Sequence, residues 1–237
     1  MFSLFRKSTL DYQVRRSNRR KTVAIEVRRN EVRVLAPTAV SDSWIDSFVA
    51  QKEDWIKKRL AEFAQYPEPE ADPVIEEGSR LMLLGQSYSL HIRESNQSSR
   101  VEVLSERIVL HLSGRLRRPR DESIKQQLEG WYRQQAQAYI EQRVSYWAEV
   151  MNEQPSAIKV RSYRRKWGCC NSRGELRFNW LLIMAPPEII DYVVIHELSH
   201  LKHMNHSARF WQRVVIYCKD FKQAQGWLKQ EGYRLNW

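Results

Sequence analysis

An α+β fold is predicted by three observations. Strand-like alternation and helical periodicity fall in separate blocks, the blocks run strand-rich then helical twice before the last third, and the composition supports a packed core. The 237 residues are 42% hydrophobic and 28% charged, near the globular average, which excludes a disordered chain and a collagen-like fibre. At about 150 residues per domain, this length allows one elaborated domain or two small ones. The net charge of +11 and pI of about 9.7 create a field that attracts nucleotides, nucleic acid or acidic protein surfaces. No run approaches the ~18 apolar residues of a membrane span, and Met1-Phe2-Ser3-Leu4-Phe5-Arg6-Lys7 lacks the apolar stretch of a secretory signal. A soluble, cytoplasmic protein with no membrane partner is expected. Three cysteines, two of them adjacent at Cys169 and Cys170, suit a reducing compartment as thiols.

Three parts are expected: a basic β-hairpin plus helix over 1–66, a β-rich segment over 67–119, and a part carrying the chemistry over 120–237. In the first, Val23, Ile25 and Val27, then Val32, Val34 and Ala36, alternate with polar neighbours around a turn at Arg29-Asn30, the pattern of two half-buried strands. Ser41 or Ser43 caps a helix with Trp44, Ile45, Phe48, Trp55, Ile56, Leu60 and Phe63 at helical spacing, ended by Tyr66-Pro67. Pro67–Pro73 reads as a linker or surface loop. Strands are expected at 81–84, 88–92, 101–104 and 108–112, followed by a long amphipathic helix over 121–150. Ile158–Ser162 reads as a strand, and Leu176, Phe178, Trp180 and Leu182 as another. From Pro186-Pro187 a helix begins, because proline tolerates the first turn; Ile189, Ile190, Val193, Val194, Leu198 and Leu201 make it apolar over most of its circumference, hence buried.

Into that helix the chain places His196-Glu197-Leu198-Ser199-His200, an H-E-x-x-H motif. The i, i+4 spacing puts both imidazoles on one face, a turn apart, able to share one cation, with Glu197 beside it as general base. A catalytic zinc takes three protein ligands and keeps a fourth position open. His203 and His206 are the candidates for the third. Three histidines on one straight helix would spread over about 10 Å, so the chain must turn. Asn205 tolerates the left-handed conformation that ends helices, which favours His206, returning from the start of a helix marked by Phe210, Trp211, Val214 and Val215.

The residues 164–170, Phe178-Asn179-Trp180, the run Asp191–Leu201 and Asn205–Trp211 together resemble the YgjP-like metal-dependent hydrolases. The resemblance extends over most of the chain and is strongest between Arg161 and Trp211, so all three parts can be one domain of that family. It implies a zincin-like catalytic domain with the active-site helix packed on an antiparallel sheet, and kinship with SprT-like proteins. In those, an H-G-x-x-F or H-S-x-x-F element supplies the third ligand, which again points to His206. Cys169 stands where Ser is expected in the family's W-G-S-C, and Ser199 where Cys or Ala is common.

One Zn²⁺ per chain held by His196, His200 and His206 would lower the pKa of its water to about 7, and Glu197 would take the proton. Hydrolysis follows, of a peptide bond on the zincin resemblance, or of a nucleoside triphosphate, since the resemblance also implies a UTP pyrophosphatase. For a peptide, the Arg164–Leu182 region is expected to lie along the cleft and pair its backbone with the substrate. For a nucleotide, Arg164, Arg165 and Lys166 would cradle phosphates and Trp167 would stack on the base, although neither a P-loop nor an acidic magnesium cluster is present. The peptide is preferred. A third class is a nucleic-acid-binding module built on Arg15, Arg16, Arg19, Arg20, Lys21, Arg28, Arg29 and Arg33 of the first hairpin.

Overall fold

The computed structural model describes residues 10–28, 31–64, 74–163 and 166–237. The chain divides into two compact units, Met1–Glu68 and Pro69–Trp237. The turn at Arg29-Asn30, Tyr66-Pro67 and the linker Pro67–Pro73 lie outside the described residues.

In the first unit the alternation of valines sets the core. Strands β2 (Ala24–Arg28) and β3 (Glu31–Ala36) pair antiparallel, with Ile25 opposite Val34 and Val27 opposite Val32. Val32, Val34 and Ala36 point inward against Ile45, Val49 and Ile56. A further strand, β1 (Gln13–Arg16), joins the free side of β3 in parallel; being polar and mostly exposed, it carries no periodic signal. The helical block is two helices, α1 (Asp42–Gln51) and α2 (Glu53–Ala64). Ser41 caps the first, its Oγ accepting from the Trp44 N–H at 3.3 Å, and Lys52 leaves helical geometry between them.

The second unit opens with β4 (Arg80–Leu83), β5 (Gln86–Ser95), β6 (Arg100–Leu104) and β7 (Arg107–Ser113), in the order β4-β5-β7-β6. The link 96–99 crosses the end of β7 so that β6 lies at the edge, which leaves β5 and β7 parallel. The β4–β5 turn has two left-handed residues, Leu84 (φ 49°) and Gly85 (φ 76°), as a two-residue hairpin requires. A Cβ at Gly85 would stand 2.9 Å from the Pro186 Cα. The turn therefore docks closely, and the Leu84 and Gly85 N–H groups donate to the Ile183 and Met184 carbonyls at 2.8 and 3.1 Å.

Helix α3 (Arg120–Met151) buries a stripe from Ile124 through Leu128, Tyr132, Ala136, Ile140 and Val144 to Met151. It ends at Asn152, whose φ of 52° is left-handed. A second sheet follows, with β8 (Ala157–Arg161), β9 (Gly168–Cys170) and β10 (Glu175–Asn179) in the order β8-β10-β9. The strand expected through Leu182 stops at Asn179, whose Oδ1 accepts from the Leu181 N–H and turns Trp180–Met184 into a 3-10 helix. Then come α4 (Pro187–Ser199), α5 (Ala208–Tyr217) and α6 (Phe221–Gln230).

The class is α+β. The sheet expected to be antiparallel is mixed: β10 pairs antiparallel with β9 and parallel with β8, because the chain reaches β10 through β9 and leaves β8 at the far edge. Arg177 lies on the central strand, and β8 and β9 are the two edges. Helix α4 is wedged between α3, β9, α5 and α6, and a bidentate pair from Arg143 to Asp191, at 2.6 and 2.7 Å, ties it to α3. No described helix is long and apolar enough to cross a membrane, and all three cysteines are free.

Candidate metal centre

Burial places the motif. Val193, Val194, Ile195 and Leu198 are at most 4% exposed, so α4 is fixed on all sides and the two histidines at its end have little freedom. The helix stops at Ser199, one residue before the second histidine, and His200 is its C-cap. The next amides bond three residues back, Leu201 to Leu198 and Lys202 to Ser199, which tightens the turn. Asn205 is not among the residues with positive φ, so this tightening, and not a left-handed Asn205, reverses the chain. The His203 carbonyl comes to rest 3.0 Å from the His200 Nδ1. A ring that donates there has its Nε2 lone pair free, the tautomer a metal ligand needs.

His206 then returns beside the pair. Ligand atoms of His196, His200 and His206 lie within 4.8 Å of one another, and the His206 and His196 Nε2 atoms are 3.1 Å apart. Two nitrogens bound to zinc at 2.0–2.1 Å in a tetrahedral site stand roughly 3.3 Å apart, so the spacing fits one ion. Phe210, fully buried at the start of α5, packs on all three rings with centroids 4.5 to 4.9 Å away. Trp211 stacks on His206. His206 is exposed and His200 buried, leaving the cluster open on one side. Burial, then the neighbouring His200 and His206, pushes the His196 pKa down to about 3, and burial lowers that of His200. Both rings are thereby kept neutral, as ligation requires.

Glu197 lies directly beneath Gly168 of β9. It is 5% exposed, and burial pushes its carboxyl up to about 8 against the opposing effects of Lys166 and the Cys170 backbone amide. Its Oε2 is buried without a hydrogen-bond partner, as is the His196 Nδ1. A Cβ at Gly168 would lie 2.7 Å from both the Cγ and the Oε1 of Glu197, so β9 can cross at this height only with glycine there. Sequence reasoning gave Gly168 no role of its own; the signal was the glycine in Trp167-Gly168-Cys169-Cys170.

Arg164 and Arg165 lie outside the described residues. Lys166 is exposed, with its charge close enough to act on Glu197. Trp167 packs on the core and approaches Gly232, where a Cβ would be 3.1 Å from its ring. Buried Asn179 binds the chain just before and just after positions 164–165, its Nδ2 donating to the Tyr163 and Lys166 carbonyls at 3.0 and 3.3 Å. In the first hairpin Arg16, Arg28 and Arg33 pair with Asp42, Glu26 and Glu31, Arg29 is outside the described residues, and Arg15, Arg19, Arg20 and Lys21 have no ion pair with a described carboxylate.

A buried helix ending in three clustered histidines beside a buried carboxylate is a set of groups that could hold a metal ion. The family model of the YgjP-like metallopeptidase domain matches residues 21–231, and the chain belongs to that family. Two solved structures are similar in part. The metallopeptidase zymogen of Pyrococcus abyssi abylysin is 20% identical with a TM-score of 0.34, over 38% of this chain and 96% of that one. The metallopeptidase zymogen of Methanocaldococcus jannaschii jannalysin is 22% identical with a TM-score of 0.32, over 35% and 90%. No curated protein matches the chain.

Proposed function

We propose that the protein is a zinc peptidase in which His196, His200 and His206 hold one ion and Glu197 is the general base. The observation that carries this reading is the convergence of the three ligand atoms within 4.8 Å next to a buried carboxylate. Zinc held there supplies Lewis acidity, polarising a carbonyl and bringing the pKa of a water to about 7. Phe210 and Trp211 hold the imidazole planes, and the His203 carbonyl sets the tautomer of His200. The Glu197 carboxylate accepts a proton from the attacking water and passes it to the leaving amine. Its unpartnered Oε2 is the atom free to do so, and Gly168 lets the chain close over it. An extended peptide pairs its backbone with the open edge of β9, the strand lying over α4.

Two observations favour a peptide over a nucleotide. The half-buried Trp167 packs against Gly232 and the core, not as an open stacking face, and β9 is a strand at the edge of its sheet. The deciding experiment assays metal-loaded protein on denatured polypeptide and on nucleoside triphosphates in parallel. Polypeptide cleavage that disappears in Glu197→Gln is the expected result. Triphosphate turnover that survives purification, is lost in Glu197→Gln and is unmatched by any peptide cleavage overturns it.

A further inference from the structure

Away from the histidines, the junction between β7 and α3 forms an open, surface-facing cavity of about 310 Å³. Its lining includes Arg115, Arg117 and Arg118 and the hydroxyls of Ser99, Ser113 and Ser123, and contains no carboxylate. None of the three arginines has an ion pair with a described acid, and the two acids in the first turn of α3, Asp121 and Glu122, do not line the cavity. Three exposed arginines thus line one open concavity without a carboxylate beside them, an arrangement that favours the entry of an anion.

The loop that carries them is held in place. The Ser113 N–H donates to the Ser99 Oγ at 3.0 Å, and the Arg115 N–H to the Ser113 Oγ at 3.3 Å. The Gly114 N–H reaches the Ser95 carbonyl at 3.0 Å, and the buried Ser123 Oγ donates to the Arg118 carbonyl at 3.4 Å. Because the Ser99 and Ser113 oxygens act as acceptors in these bonds, both hydroxyl protons are left to donate. Guanidinium forks and hydroxyl donors, here beside the Gln126 and Gln127 amides and without a competing carboxylate, are the chemistry that recognises phosphate oxygens, which take several charge-assisted bonds at once.

We propose that this cavity is a binding site for phosphate groups, separate from the histidine centre and independent of the function assigned to it. Either of two sources delivers this chemistry, a free phosphate compound or the phosphodiester backbone of a polynucleotide, and the test separates them. Full-length protein stripped of metal is titrated calorimetrically at constant ionic strength with inorganic pyrophosphate and, in parallel, with a short single-stranded oligonucleotide. The parent is compared with Arg117→Gln/Arg118→Gln and with Arg93→Gln/Arg107→Gln, which removes the same charge from exposed arginines outside the cavity. Saturable pyrophosphate binding, weakened at least about tenfold in the first variant and unchanged in the second, is expected. If the oligonucleotide shows that same pattern, the backbone is the source; if it does not bind, a free phosphate compound is. Absence of saturable binding by both probes, or equal weakening in the two variants, overturns the proposal.

Discussion

Glu197 is costly to the metal-free fold in its charged form. Burial raises its pKa to about 8, whereas in an unfolded chain a glutamate ionises near 4.3. A folded pKa above the unfolded one gives stability that is complete below the unfolded value and lost as pH rises through the folded one. Metal-free protein should therefore lose stability between about pH 5 and 8 at up to about 1.4 kcal/mol per pH unit from this group. Glu197→Gln should lack that slope and be the more stable form at pH 8. Denaturant midpoints of the two proteins at pH 5 and pH 8 test this, and parallel pH dependences would refute it. The same carboxylate makes Gly168→Ala informative. A methyl group there would stand 2.7 Å from the Glu197 Oε1, so the base must tilt while the histidines do not. The expected result is unchanged zinc content with kcat/KM on a peptide reduced at least about tenfold; loss of zinc, or full activity, would contradict it.

Elements with a periodic apolar face were legible, and those shaped by a single contact were not. Val32, Val34 and Ala36 announced β3, and the stripe from Ile124 to Val144 announced α3, because burying every second or every third and fourth side chain leaves that record in sequence. Polar β1 and three-residue β9 carry too few inward residues to leave one. Trp180 and Leu182 alternate as a strand would, yet the Asn179 side chain bends them into a 3-10 turn. At the site, the spacing of His196 and His200 was readable outright, and the distance limit on a straight helix required the turn that brings back His206. Invisible beforehand were the tight turn after Ser199 and the His203 carbonyl behind His200, since backbone groups have no sequence signature. These placements make a sharp prediction. His206→Ala should release the zinc, because two ligands are too few to hold it, whereas His203→Ala keeps the backbone carbonyl that orients His200 and should retain it. Metal analysis of the two purified variants decides, and the reverse pattern would move the third ligand to His203.

At the scale of the whole molecule, the family match over residues 21–231 spans both compact units, yet their buried clusters share no residue. The first unit closes on Val32, Val34, Ala36, Ile45, Val49 and Ile56. The second has a far larger core running from Ile75 to Leu235 and including the helix of the histidines. Every group assigned to the proposed metal site belongs to the second unit: His196, His200 and His206, Phe210 and Trp211, the His203 carbonyl, and Glu197 beneath Gly168. A fragment of residues 69–237 is long enough to bury a stable core by itself, and metal that binds only the folded form stabilises it by mass action. The fragment should therefore fold, hold about one zinc, and gain as much melting temperature on zinc addition as the full chain does. Calorimetric melting with and without zinc checks this. A fragment that folds but takes up no zinc, while the full chain does, would mean that the first unit contributes to the metal centre.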